Sequence, residues 1–373
     1  MDKIFAEIFS KEPPYILEGD YFYFNPYYEE MSDDIREHYE KIVKKQSEGS
    51  SRISGRTWRT LWEERTFQRE PPTDKVNWGT NIREFGKMYE AINNGVSKIN
   101  EVFGKIAAES KPLMDISSCN SFGLIPFIVK MNPQVPCMAT DMEAPVMRFM
   151  RTRVNRDLSE YNISLASFDN RDIPIKDNSL DYVTSTFGIG SVLYDNAPHT
   201  FFSVPVDREK PIKEVYRILK PGGCYVAIEH YHDWKFDLAK TREACKQRGN
   251  LFGLYTYNEI EEVQNKLKVY LMHNQFIAAG FEVEIGEKYP QPKPSCSIDL
   301  NPKSALSHLA HILKIREWTD EERELYKGFS GDIITIIRTP EKMKESEELD
   351  KEAEDYGIEF AEGDIFYVLR KPI

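Results

Sequence analysis

The sequence predicts an α/β fold in which a mostly parallel sheet carries helices on both faces. From about residue 81 onward, short apolar segments typical of buried strands alternate with amphipathic segments at helical spacing. Strand–helix alternation of this length indicates parallel strands joined by helical crossovers. The predicted strands are PLMDIS, VPCMATD (135–141), ISLASFD (163–169), LDYVTSTF (180–187) and CYVAIEHY (224–231).

Five segments of the chain show apolar residues at helical spacing. Gly95 weakens the middle of the first of them, and Pro126 is compatible with the second only if it lies in the first helical turn. Pro221, Gly222 and Gly223 are expected to stop the fourth and to turn the chain into the next strand. The predicted helices are 81–110, 124–131, 144–158, 209–220 and 258–280.

The sequence patterns at both ends of the chain differ from the strand–helix alternation of this core. Residues 1–80 are predicted to form an irregular N-terminal extension, rich in aromatic residues over 15–30 and locally basic over 41–70. Packing of the aromatics on a neighbouring domain, with a solvated basic run, is one interpretation. The other is a substrate lid that carries Tyr, Trp and Arg side chains.

The second half of the chain adds strands and a charged segment to the core. The core is predicted to span residues 81–340, and residues 341–373 are predicted to be an appended acidic helix and strand. The predicted elements are strands at 281–289 and 332–340, an exposed helix at 341–357 and an edge strand at 363–373.

Composition restricts the classes of partner. The 373 residues carry a net charge of −12, which disfavours a large nucleic-acid footprint. The five cysteines are scattered without a CxxC pair, so we expect reduced thiols in a cytoplasmic protein. The N-terminus does not resemble a signal peptide and no segment has about 18 uninterrupted apolar residues, so no membrane association is expected. His308 and His311 share a helix face without a third ligand, and no metal site is predicted.

The stretch MDISSCNSFG places an acid before a loop of small residues. Asp115 follows the apolar residues Pro112–Met114 within the predicted strand, and small residues follow at Ser117, Cys119, Ser121 and Gly123. A loop that cradles a pyrophosphate needs glycines in the pattern GxGxxG, which is missing here. Small residues still let an uncharged, flat or flexible ligand lie against the backbone.

Acids also end the next two predicted strands. Asp141 closes the strand 135–141, where a carboxylate can accept hydrogen bonds from both hydroxyls of a ribose. Asp169 closes the strand 163–169, where it can accept from the amino group of an adenine while the Asn170 N–H meets a ring nitrogen. Helix capping by Asp141 and turn formation by Asp169 and Asn170 are the alternatives.

Taken together, these segments resemble class I S-adenosylmethionine-dependent methyltransferases. PLMDISSCNSFG resembles the first motif of that family, CMATD the strand with the ribose acid, SFDNRDIPIKDNSLDYV the adenine segment, YRILKPGGCYVAIEH the helix-to-strand turn and FIAAGFEVEIGE a late element. The resemblance implies a Rossmann-like seven-stranded sheet with one antiparallel strand. It also implies S-adenosylmethionine as cofactor and a small-molecule methyl acceptor.

The resemblance assigns roles position by position. It implies that the methionine end of the cofactor lies near Asp115 and against the loop that follows it. It places the ribose at Asp141, the adenine between Met142 and the next strand end, and the floor of the site at Thr186. Family members usually have glycine where this chain has serine or cysteine in the loop. The implied cofactor-binding residues are Asp115, Ser117, Cys119, Ser121, Gly123, Asp141, Met142, Asp169, Asn170 and Thr186.

A general base is needed only if the acceptor loses a proton during methyl transfer. The candidates follow the strand after Pro-Gly-Gly, and His230 and Glu229 are the first of them. The alternative is that EHYHDW is a polar strand end that satisfies its own backbone.

Two other functions stay open on the sequence alone. One is a non-catalytic or cofactor-free protein that retains the methyltransferase fold, which the substituted loop supports and the acids Asp141 and Asp169 oppose. The other is a nicotinamide-dependent oxidoreductase, which the missing GxGxxG pattern opposes.

Overall fold

We describe the fold from a computed structural model of the chain. The described residues are 4–11, 13, 15–17, 21–24, 97–118, 122–141, 150–151, 154, 159–186, 188–189, 208–290, 302–327 and 340–373.

One sheet of nine strands organises the described part of the chain. Its order is β1-β2-β5-β4-β3-β6-β7-β9-β8. β2, β5, β4, β3, β6 and β7 are parallel to one another across the sheet. β1 is antiparallel to β2, and β9 is antiparallel to both β7 and β8. The strands are β1 Tyr15–Leu17, β2 Tyr21–Tyr23, β3 Leu113–Ile116, β4 Cys137–Thr140, β5 Ile163–Ser167, β6 Leu180–Thr186, β7 Leu219–Phe236, β8 Glu282–Pro290 and β9 Ile358–Arg370.

Ten helices are described in the same residues. They are α1 Ile4–Ile8, α2 Ser97–Glu109, α3 Ile125–Met131, α4 Glu209–Ile218, α5 Leu238–Arg248, α6 Tyr257–Tyr270, α7 Met272–Ala278, α8 Pro302–Ile312, α9 Asp320–Lys327 and α10 Pro340–Asp355. Pro126 lies in the first turn of α3, as the sequence predicts.

Apolar side chains alternate between the two faces of the sheet, and each face packs against its own helices. Leu113 lies in a cluster with residues of α2 and α3, whereas Met114 lies in a cluster with residues of α1, α4 and α7. Burial of both faces explains the almost continuous apolar runs of the central strands. The prediction of a mostly parallel sheet covered on both sides is confirmed.

β7 and β9 extend beyond the rest of the sheet and carry a second helical layer. The pairing of β6 with β7 ends at Thr186 and Ile228, whereas the pairing of β7 with β9 continues to Phe236 and Ile358. Around this ribbon, residues of α5, α6, α8 and α10 form a third apolar cluster that includes Trp234. The helical unit, which consists of α5, α6, α8 and α10, is therefore attached at the carboxyl edge of the parallel strands.

The N-terminal residues that the structure describes belong to the sheet. β2 pairs with β5, and Phe22 is buried in the same cluster as Phe5 and Phe9. Phe22 packs as that interpretation expects, and for the rest of 15–30 the interpretation stays a prediction. The basic run 41–70 lies outside the described residues, and the lid remains a prediction.

Several sequence predictions differ from the structure. The segment 363–373 was expected to be an edge strand, but β9 pairs on both sides, because the chain returns to fill the gap between β7 and β8. β7 begins at Leu219, and the Pro-Gly-Gly segment is an irregularity in its pairing with β6. The predicted helix 258–280 is two helices, since Leu271 has an extended ψ of 130°.

Other predicted elements cannot be compared with the structure. The strand 332–340, nearly all of the helix 144–158 and the first part of the helix 81–110 lie outside the described residues. Among the residues that are described, no helix is both long and apolar enough to span a membrane, and no cluster of three metal-ligating side chains occurs.

Candidate cofactor site

Four neighbouring parallel strands bring polar residues to one edge of the sheet. β5, β4, β3 and β6 lie side by side, and their carboxyl ends are followed or closed by Asp169, Asp141, Ser117 and Thr186. Crevices at the carboxyl edge of such sheets are where α/β proteins bind ligands. The sequence-predicted residues on four separate segments therefore come together.

Asp115 is fully buried and its carboxylate is held by the protein itself. It accepts hydrogen bonds from Ser118 Oγ at 2.6 Å, Thr184 Oγ1 at 2.6 Å and the Leu124 N–H at 3.1 Å. Burial raises the pKa of Asp115 to about 7, although these three donors act in the opposite direction. Its position fits a role in shaping the loop.

Three described residues of the loop after β3 adopt the left-handed backbone conformation that glycine favours. φ is 51° at Ser117, 62° at Phe122 and 54° at Gly123. Non-glycine residues reach this region at a cost, so the surrounding contacts must hold them there. One such contact is the hydrogen bond that Asn170 Nδ2 donates to Ser117 Oγ at 2.7 Å.

Ser118 fastens the loop to the neighbouring strand. Its N–H donates to the Thr140 carbonyl at 2.7 Å, and its Oγ accepts from the Thr140 N–H at 3.1 Å. Thr140 Oγ1 in turn donates to the Asp115 carbonyl at 3.0 Å. These bonds fix the loop directly beside Asp141, which is partly exposed at the end of β4.

The carboxylate of Asp169 forms an ion pair with Arg171, which was not among the predicted site residues. Arg171 Nη2 lies 2.6 Å from Asp169 Oδ2, and its Nε lies 3.0 Å from each carboxylate oxygen. Burial alone would raise the pKa of Asp169, but the hydrogen bonds and charge of Arg171 outweigh it and the net pKa is lowered. An Arg two residues after an Asp in a turn was the available signal.

The end of β6 supplies two further groups. Thr186 Oγ1 is buried and has no hydrogen-bond partner in the part of the chain that the structure describes. Glu229 is fully buried, and its Oε1 accepts from the Ile189 N–H at 3.0 Å and from Ser185 Oγ at 3.5 Å. Glu229 therefore anchors the backbone that follows β6, a contact that sequence reasoning missed.

Four of the predicted site residues cannot be placed by their side chains. Cys119, Ser121 and Met142 lie outside the described residues, and so does the side chain of His230, whose backbone pairs with Asp364 in β9. Their roles remain predictions.

The sheet has the topology that the resemblance to class I methyltransferases implies. Seven strands lie in the order β5-β4-β3-β6-β7-β9-β8, and β9 is antiparallel to both of its neighbours. Residues 96–244 match the sequence model of the ubiE/COQ5 methyltransferase family. This segment contains β3 to β7 and all of the predicted site residues.

Curated relatives and solved structures are similar to this chain. A ubiquinone/menaquinone biosynthesis C-methyltransferase UbiE of Rickettsia bellii (strain RML369-C) is 28% identical over 175 residues, which are 47% of this chain and 52% of the relative. A demethylmenaquinone methyltransferase of Staphylococcus epidermidis (strain ATCC 12228 / FDA PCI 1200) is 38% identical over 68 residues, 18% of this chain and 23% of the relative. The chain thus spans about half or less of the length of these relatives.

One solved structure among those with a similar fold is phosphoethanolamine N-methyltransferase 2 of Haemonchus contortus, in complex with phosphomonomethylethanolamine and S-adenosylhomocysteine. Its sequence is 18% identical, the TM-score is 0.36, and the alignment covers 70% of this chain and 49% of that chain.

The chemistry of the residues at the edge fits S-adenosylmethionine. The cofactor presents ribose hydroxyls and an adenine amino group, and Asp141 and Asp169 offer carboxylate acceptors on adjacent strands. Thr186 Oγ1 is a buried polar atom that still lacks a partner in the described residues. A ligand at this edge would supply one.

Proposed function

We propose that the protein transfers a methyl group from S-adenosylmethionine to a small-molecule acceptor. The observation that carries this proposal is the convergence of hydrogen-bonding side chains from four adjacent parallel strands behind a left-handed loop. The family match supports it, because residues 96–244 contain the whole of this edge.

Each strand end has a separate role in the proposal. Asp141 accepts from the ribose hydroxyls, and Asp169 and Asn170 meet the adenine edge. The backbone of residues 117–123 lies along the methionine portion. Asp115 is a positioning residue, because its carboxylate is already occupied by Ser118, Thr184 and Leu124.

The sulfonium of the cofactor supplies an activated methyl group. The residues at the strand ends would hold the cofactor so that this methyl group could pass to a lone pair of the acceptor, with the electron pair of the carbon–sulfur bond left on sulfur. The protein's contribution is therefore mainly to hold the two reactants in line. If the acceptor loses a proton, Glu229 or His230 receives it.

The acceptor is proposed to be small because the net charge of −12 opposes a nucleic-acid substrate. The relatives are named for ubiquinone and menaquinone biosynthesis, so quinone precursors are the first acceptors to screen. The similarity to the Rickettsia relative covers 47% of this chain, so the acceptor itself is left to the screen.

Calorimetry with S-adenosylhomocysteine tests the proposal. We expect micromolar binding that weakens at least tenfold (~1.4 kcal/mol) in Asp141→Ala. Asp172→Ala is the matched control, since Asp172 is an acid with 79% of its side chain exposed and pairs with Lys11 on the surface. Absence of saturation up to millimolar S-adenosylhomocysteine, with NADH titrated in parallel, would favour the cofactor-free alternative.

A further inference from the structure

A second polar site lies at the junction of the core and the helical unit. Arg208 immediately precedes α4, and its guanidinium carbon lies 4.8 Å from the centre of the Tyr270 ring at the end of α6. α4 packs on the sheet between β6 and β7 in sequence, so its first residue lies at the carboxyl edge. This is the edge to which the proposed cofactor site belongs.

Both members of this pair have a buried polar atom without a partner. Within the described residues, Arg208 Nε and Tyr270 Oη are shielded from solvent and make no hydrogen bond. Native structures rarely keep a buried donor without a partner, and here two such donors belong to side chains that are in contact. Arg208 also makes no side-chain cap for α4. Two donors left unpaired at one place indicate that they serve a ligand.

Arg208 also acts electrostatically on the paired strands β7 and β9, through Tyr367. His273, in the first turn of α7, lies 6.2 Å from the Tyr367 ring, and Tyr367 pairs with Ala227 of β7. Burial raises the pKa of Tyr367, the charge of Glu229 raises it further, and the charge of Arg208 opposes the rise. Arg208 and Glu229 are therefore both within electrostatic reach of Tyr367.

The chemistry of the pair selects the ligand. A guanidinium donates in a planar fork that matches a carboxylate, and a tyrosine hydroxyl can donate to the same group. The Tyr270 ring provides an apolar face for the body of the molecule. The pair offers one guanidinium and one neutral hydroxyl, so a singly charged carboxylate matches its charge better than a doubly charged phosphate.

On the basis of the proposed function, we propose that Arg208 and Tyr270 bind a carboxylate group of the methyl acceptor. They form an acceptor subsite between the helical unit and the carboxyl edge of the sheet. The acceptor class is then a small aromatic or apolar monocarboxylate, held by its anionic end while another of its atoms faces the methyl group.

Benzoate is the probe, and benzamide is its uncharged counterpart. We titrate each into the protein alone and into the protein saturated with S-adenosylhomocysteine, and follow binding by ligand-detected NMR. We expect benzoate to bind with millimolar or better affinity and benzamide at least tenfold more weakly. Arg208→Gln should weaken benzoate at least tenfold, and Tyr270→Phe a few-fold.

A matched control is available on the protein surface. Arg242 lies 4.5 Å from the centre of the Tyr257 ring and donates to its hydroxyl at 2.7 Å, so this second pair is already satisfied. Arg242→Gln should leave benzoate affinity unchanged. Equal binding of benzoate and benzamide, or unaltered benzoate affinity in both Arg208→Gln and Tyr270→Phe, would overturn the proposal.

The design separates this proposal from the cofactor proposal. Arg208→Gln should retain wild-type affinity for S-adenosylhomocysteine, since Arg208 is not assigned to that ligand. If S-adenosylhomocysteine fails to bind, the benzoate titration of the protein alone still decides whether the subsite exists. If benzoate does not bind at 10 mM under either condition, the subsite is wrong even when the cofactor site is right.

Discussion

Gly123 lies against the carboxylate of Asp115 so closely that no side chain fits between them. A Cβ atom at Gly123 would lie 2.0 Å from Asp115 Oδ1, and φ at Gly123 is +54°. The carboxylate cannot move away without losing its three donors on Ser118, Thr184 and Leu124. The first acid and the last small residue of the loop are therefore a single structural unit.

We expect Gly123→Ala to destabilise the protein by more than about 2 kcal/mol, through steric overlap and backbone strain. Urea denaturation measures this change. Gly104, within α2, has open space around its missing Cβ, so Gly104→Ala should stabilise by about 0.5–1 kcal/mol. Equal stability of Gly123→Ala and wild type would show that the loop is not held as described.

The sequence predicts which residues lie along this edge of the sheet, but it does not predict which side chains pair with one another there. Acids at the ends of strands and small residues in the loop place Asp141 and Ser117 correctly, because strand boundaries follow local apolar patterns. Arg171 and Tyr270 were missed because their importance depends on which side chains meet after folding, and no local sequence pattern shows this. The return of β9 into the sheet was also missed, since its partners in β7 lie more than 120 residues away in sequence and leave no local pattern, as for Phe236 and Ile358.

Asp115 should make stability depend on pH between about 4 and 7. Its folded pKa of about 7 lies above the ordinary value of 3.8, so the folded state retains a proton that the unfolded state loses. The contribution of Asp115 to stability is therefore greatest at low pH and falls as pH rises towards 7. Between pH 5 and 8 we expect a loss of about 2–3 kcal/mol.

Asp115→Asn isolates this contribution, because asparagine does not titrate. We measure the free energy of unfolding of both proteins in urea at pH 5 and pH 8. Asp115→Asn should be less stable overall, because the NH₂ group of asparagine would face hydrogen-bond donors that the carboxylate now accepts from. The difference in stability from wild type should be smaller at pH 8. A difference that is constant across this range would contradict the raised pKa.

Arg171 should compete with the cofactor for Asp169. The guanidinium occupies both carboxylate oxygens, so an adenine amino group must share or displace it. We expect Arg171→Ala to increase the affinity for S-adenosylhomocysteine a few-fold, measured by calorimetry. The loss of stability should be no more than about 1 kcal/mol, because the ion pair is partly exposed.

Lys11→Ala is the control for Arg171→Ala. It removes the exposed partner of Asp172 in a neighbouring ion pair and should leave cofactor affinity unchanged. A decrease in affinity in Arg171→Ala would mean that Arg171 contacts the ligand itself, and the role of Asp169 would have to be revised.

Glu322 should stabilise the helical unit through a buried network. It is 2% exposed and accepts from the Tyr255 hydroxyl, from Arg316 Nη2 at 2.8 Å and from the Thr319 N–H at 2.8 Å. Burial acts to raise the pKa of Glu322, but these hydrogen bonds outweigh it and the net pKa is lowered. We expect Glu322→Gln to cost about 2 kcal/mol at neutral pH, measured by urea denaturation.

The pH dependence of this effect has a defined sign. Because the folded pKa of Glu322 is lowered, its contribution is complete above the ordinary carboxyl pKa and is lost as pH falls through the folded pKa. Glu321, the adjacent residue, forms an exposed pair with Lys303, so Glu321→Gln should cost less than about 0.5 kcal/mol. Similar losses in the two variants would rule out the network as a source of stability.

The most direct test of the cofactor site is a crystal structure of the protein grown with saturating S-adenosylhomocysteine. We expect the ribose hydroxyls within hydrogen-bonding distance of the Asp141 carboxylate, and the amino-acid portion along residues 117–123. Ligand density elsewhere on the molecule, or none at the carboxyl ends of β3 to β6, would contradict the assignment of this edge as the cofactor site.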